Sequence, residues 1–80
     1  MAAPNLWSLR ENQEAFIKDF CPSLLKHHQN RFIELGFRHG ESVKCIKTPP
    51  FGAPHVFEVS DTVFSISKED AVKIFLLTEQ

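Results

Sequence analysis

Glu34-Leu35-Gly36-Phe37-Arg38-His39-Gly40, running on through Glu41-Ser42 into Val43-Lys44-Cys45-Ile46-Lys47, is where the hydrophobic period changes, and it decides the fold. Upstream of Gly36, residues Leu24, Leu25, His28, Phe32 and Leu35 recur on one face at about 100° per residue, which predicts a helix. Pro22 suits its first position, where a missing N–H is no loss. Gly36 stands just past its end, where a left-handed cap is needed, and Phe37 is placed to pack back on Phe32 in a Schellman motif. Downstream, Gly40-Glu41 turns the chain and Ser42 to Lys47 alternates as a strand, with Val43 and Cys45 on one face.

Working outward, Glu14 to Phe20 reads as a short strand stopped by Cys21-Pro22. Thr48-Pro49-Pro50-Phe51-Gly52-Ala53-Pro54 is a long turn, because three prolines cannot donate to a sheet ladder. His55 to Val59 alternates as a strand, Ser60-Asp61-Thr62 turns it, and Val63 to Ile66 returns with Phe64 and Ile66 inward. Ser67 caps a single helical turn, and Ile74 to Leu77 forms a last strand. The class is mainly β with one α-helix. Five short strands in so small a chain favour a strongly bent barrel over a sheet with open edges. Residues 1–80 form one domain, with 1–8 a loose tail from which Leu6 and Trp7 are able to dock.

Composition excludes several functions. The 9 Lys and Arg against 10 Asp and Glu are scattered, which argues against nucleic acid and against a polybasic membrane anchor. The longest apolar runs fall far short of the roughly 20 residues of a membrane span. Met1 to Arg10 has no basic segment followed by an apolar core, so it does not read as a signal peptide, and Ala2 excludes myristoylation there. Two cysteines, Cys21 and Cys45, are too few for a disulfide scaffold and read as reduced thiols in the cytoplasm. Three glycines, Gly36, Gly40 and Gly52, make no phosphate loop.

The ordered set Glu34-Leu35-Gly36-Phe37-Arg38-His39-Gly40, then Val43, then Pro50-Phe51-Gly52-Ala53-Pro54, then Phe64-Ser65-Ile66-Ser67-Lys68-Glu69-Asp70-Ala71 resembles the FeoA family, over about residues 9–77. That family is the small cytoplasmic component of bacterial ferrous-iron uptake. The resemblance implies a small SH3-like barrel of about five strands, and a non-catalytic accessory that binds the cytoplasmic side of the FeoB-type GTP-dependent iron permease. A related barrel ends iron- and manganese-dependent repressors, but these 80 residues hold no helix-turn-helix. Two positions depart from the family pattern. Ala53 stands where an acidic residue is common, and Asn12 stands where glycine is common. Asn also accepts a left-handed backbone.

No catalytic residue, cofactor or metal site is expected. Cys21, His27, His28, His39, Cys45 and His55 are the available metal ligands, yet there is no Cys-x-x-Cys or His-x-x-x-His pair. His27 and His28 are adjacent in the helix and project about 100° apart. His28 reads as a core or boundary histidine, Cys45 as a small buried hydrophobe, and Cys21 as a thiol at a helix start. Two other roles compete with the contact reading: a metal-binding sensor or iron-delivery protein, and a direct modulator of the permease GTPase. The partner surface is assigned to Phe37, Arg38, His39 and Phe51. Arg38, in a loop between two glycines, is the candidate arginine finger for a GTPase partner, although a solvated loop arginine is the plainer reading. Phe51 at a turn tip is either folded back on the barrel or offered to a partner.

Overall fold

A computed structural model describes residues 4–77. Five strands, β1 (Glu14–Phe20), β2 (Ser42–Lys47), β3 (His55–Val59), β4 (Thr62–Ile66) and β5 (Ile74–Leu76), form one sheet in the order β4-β3-β2-β1-β5. Every neighbouring pair is antiparallel. The main helix α1 (Lys26–Leu35) links β1 to β2, and a single turn α2 (Lys68–Ala71) links β4 to β5. The extents are 30 × 29 × 28 Å, so the sheet is rolled around its core and not flat. The barrel is open at one seam: among the described residues β4 and β5 are the sheet's ends and do not pair. Ile17, Phe37, Val43, Cys45, Phe57, Val59 and Ile74 fill the interior.

The sequence places the end of α1 correctly and its start too early. Cys21 to Leu24 is instead a β-turn, closed by the Leu24 N–H donating to the Cys21 carbonyl at 2.9 Å. Pro22 occupies its second position, the other place where a fixed φ fits. Leu25, with extended φ −58° and ψ 142°, caps the helix, and its carbonyl accepts from Gln29 N–H at 2.9 Å. Leu25 is consequently exposed and not on the buried face, while Leu24 is buried. At the other end Gly36 has φ 111°. The Gly36 N–H donates to Ile33 O at 3.1 Å and the Phe37 N–H to Phe32 O at 2.9 Å, the two bonds of a Schellman motif.

The loose tail expected over residues 1–8 is ordered from Pro4 onward, and residues 1–3 lie outside the described part. Leu6–Ser8 is a 3-10 turn with Leu6 fully buried. Leu76 N–H donates to Pro4 O at 2.9 Å, and Asn5 bridges to Phe75. This segment covers the outer edge of β5, which would otherwise be left unpaired.

Val59 pairs with Thr62 across a two-residue turn in which Ser60 (φ 53°) and Asp61 (φ 65°) are both left-handed. That is the requirement of a type I′ hairpin, met here without glycine. Asp61→Gly should therefore stabilise the domain by roughly 0.5–1 kcal/mol, read as a raised midpoint in urea. Asn12 is also left-handed (φ 71°), a conformation that asparagine tolerates.

Candidate functional site

The helix end and β1 frame an apolar cleft of about 320 Å³. Phe37 and Ile17 form its floor, Phe20 and Ile33 its walls, and Lys18, Asp19, Arg38 and His39 its rim. The rim loop is tightly held. Ile17 N–H donates to Glu41 O at 2.9 Å, and Gly40 N–H donates back to Ile17 O at 2.7 Å. His39 Nδ1 lies 2.7 Å from the Lys18 carbonyl. A carbonyl only accepts, so Nδ1 carries a proton there.

Three of the four residues assigned to the partner surface meet at this cleft, in unequal roles. Arg38 and His39 are exposed on the rim. Phe37 has 0% exposure and is a core residue, because the Schellman bond that closes the helix also turns its ring onto Phe32 (centroids 5.4 Å) and Phe64 (5.9 Å). The assignment of Phe37 as a surface contact is therefore corrected. Phe51 is elsewhere. Arg38 and His39 precede β2 while Phe51 follows it, and six extended residues separate their ends by roughly 20 Å. Phe51 is fully exposed, with left-handed φ 63°, so it is offered to solvent and not folded back. Ile33 was missed as a cleft residue. Its signal was present: it is the apolar residue of the helix that falls off the buried stripe.

The thiols and imidazoles do not converge. Cys21 and Cys45 are both free. Cys21 Sγ lies 3.1 Å from Ser23 Oγ, and this hydrogen bond holds its pKa below the ordinary thiol value. The helix start invoked for it is five residues further on. Burial pushes the Cys45 thiol up. The His27 and His28 rings meet edge to face with centroids 4.4 Å apart, closer than their helical offset predicts. Even so, no three His, Cys, Asp or Glu side chains among the described residues are placed to hold a metal.

Among the described residues His55 is the one buried polar side chain, at 8% exposure, stacked on Trp7 at 3.6 Å and 9°. Its Nδ1 finds no partner among the described residues, and burial holds its pKa below the ordinary value. The fold thus favours the neutral ring. Its contribution to stability is complete above the unfolded pKa of about 6.5 and is lost as pH falls below it. Melting followed from pH 8 to pH 5 should show an acid loss that His55→Phe, which keeps an aromatic ring on Trp7, reduces.

A family model of the FeoA domain matches residues 5–77. The chain belongs to the FeoA family. Among solved structures, a zinc-complexed FeoA from Stenotrophomonas maltophilia, described as a prokaryotic SH3-domain protein, is 25% identical with a TM-score of 0.81. The match covers 92% of this chain and 89% of that one. Iron(II) transport protein A from Clostridium thermocellum is also 25% identical, at TM-score 0.80, over 91% of this chain and 44% of the other. A manganese-dependent transcriptional repressor shares the fold at 12% identity and TM-score 0.82, over 96% of this chain and 42% of the repressor. No curated protein matches this chain. FeoA membership and these structures support a role in ferrous-iron transport with an SH3-like fold. Among the described residues no helix is long and apolar enough to cross a membrane.

Proposed function

We propose that this FeoA chain is a non-catalytic accessory of ferrous-iron uptake, acting at the cytoplasmic face by direct contact with a FeoB-type permease. The observation that carries the reading is the cleft at the end of α1: an apolar floor and walls, a rim with two cations, an aspartate and a histidine, and a backbone locked to β1. A pre-formed apolar centre with a polar rim is the anatomy of a protein contact. It lacks the converging nucleophile, base or ligand set that chemistry needs.

Ile33 and Arg38 are the residues to test, because both are exposed and neither supports the core. Ile33→Glu should leave the melting temperature nearly unchanged and weaken co-purification with the permease about tenfold or more, with ferrous uptake falling in parallel. Arg38→Ala should weaken it less. Phe51→Ala, at the far end of β2, tests a second contact point in the same assay. Full uptake by a well-folded Ile33→Glu variant would reject the cleft as the contact surface. A GTP turnover assay with and without the chain separates a docking role from control of the hydrolysis rate.

A further inference from the structure

The outer edge of β4 is built differently from the other end of the sheet. The β3–β4 ladder runs without a shift through His55/Ile66, Val56/Ser65, Phe57/Phe64, Glu58/Val63 and Val59/Thr62. Both the β1–β5 and β2–β3 ladders contain an irregularity. In a two-residue hairpin the closing pair, Val59 and Thr62, exchanges both backbone bonds, and alternate pairs follow suit. The N–H and C=O groups of Val63 and Ser65 are then left pointing away from β3. Folded proteins usually protect such an edge with a charge, a proline, a bulge or a covering segment. β5 has its cover in Pro4 and Asn5. β4, Thr62-Val63-Phe64-Ser65-Ile66, has no charge, proline or bulge, and its Val63 is 57% exposed.

We infer that β4 is the dimer edge of this protein, pairing antiparallel with β4 of a second copy about a two-fold axis at Phe64. The choice of a second copy rests on self-complementarity. With Phe64 opposite the second copy's Phe64, Val63 falls opposite Ser65 and Thr62 opposite Ile66. The outward groups of Val63 and Ser65 then exchange four bonds across the axis. The same register carries exposed Asp61 to a position opposite Ser67, next to exposed Lys68, so an acid meets a base at each end of the shared ladder. Phe64 is only half-buried and lies in a groove of about 500 Å³ between β4 and α1, whose apolar lining includes Phe32, Leu35 and Ile66. The second copy's Phe64 enters this space from the axis. No residue of β4 lines the cleft assigned to the permease, so the two surfaces are separate.

The test is sedimentation of the full chain over a wide concentration range, together with amide exchange at Val63 and Ser65. A concentration-dependent dimer with slowed exchange at both amides is expected. Ser65→Pro removes an outward N–H that β3 does not use, and should give a monomer. Val63→Lys places a charge on the edge and should do the same, which keeps the test decisive if Ser65→Pro does not fold. Asp61→Lys should weaken association roughly threefold to tenfold, and Asp61→Lys combined with Lys68→Asp should restore it. A monomer at every concentration overturns the proposal. A dimer indifferent to both Ser65→Pro and Val63→Lys overturns it equally.

Discussion

Phe37→Ala should leave little folded protein at room temperature. Phe37 is fully buried, packs against the rings of Phe32 and Phe64, and floors the cleft beside Arg38. Truncating a buried phenylalanine costs about 3–5 kcal/mol, through lost transfer energy and the cavity left behind. A domain of 80 residues has a stability near the low end of the usual range, about 5 kcal/mol. One substitution therefore consumes most of it. Thermal melting followed by circular dichroism should show no cooperative transition, or one far below that of the wild type. Phe37→Leu, which keeps most of the volume, should cost less than about 1.5 kcal/mol and still melt cooperatively. A folded, transport-deficient Phe37→Ala would mean that the ring is a contact residue after all.

Why the sequence misplaces Phe37 is instructive. A residue just after a helix-capping glycine, followed by Arg38-His39-Gly40, reads as the start of an exposed loop. Its inward turn comes from the Schellman bond to Phe32, and that packing is itself legible in the spacing. What was not legible is the third partner, Phe64, which β4 brings from 27 positions away. The strands and the helix end follow from local rules: alternation, three prolines in one turn, and glycine after Leu35. The helix start does not, because Pro22 fits both a first helical turn and the second position of a β-turn. The buried Leu24 is compatible with either. The N-terminal segment is similar. Leu6 and Trp7 are visible as apolar residues able to dock, but the partners of this segment, Phe75 for Asn5 and His55 for Trp7, lie 70 and 48 positions further on. The cleft was half visible. Arg38 and His39 stand out as polar residues in a tight loop, whereas Ile33 and Phe20 join it only because α1 crosses the end of β1.

Gly36→Ala should be nearly as damaging as the loss of a core ring, for two reasons that can be separated. The first is backbone conformation. At φ 111° a residue with a Cβ is strained by about 1–2 kcal/mol. The second is close packing. A Cβ at Gly36 would sit 2.8 Å from Ser60 Oγ and 2.9 Å from Val59 Cγ1, inside any normal contact. Val59 is buried and in the β3 ladder, so it has little room to give, and overpacking of this kind adds typically 1–3 kcal/mol. The sum is roughly 2–5 kcal/mol, with Gly36→Val worse. Gly40 supplies the control. It is also left-handed, at φ 87°, but a Cβ there meets nothing within 4 Å. Gly40→Ala should therefore carry the backbone strain alone. The difference between the two variants in urea denaturation isolates the packing of the hairpin against the helix end. Adding Ser60→Gly to Gly36→Ala removes the Oγ contact but leaves Val59, so recovery should be partial. Equal losses at Gly36 and Gly40 would show that the hairpin yields, and that the helix cap alone requires glycine at position 36.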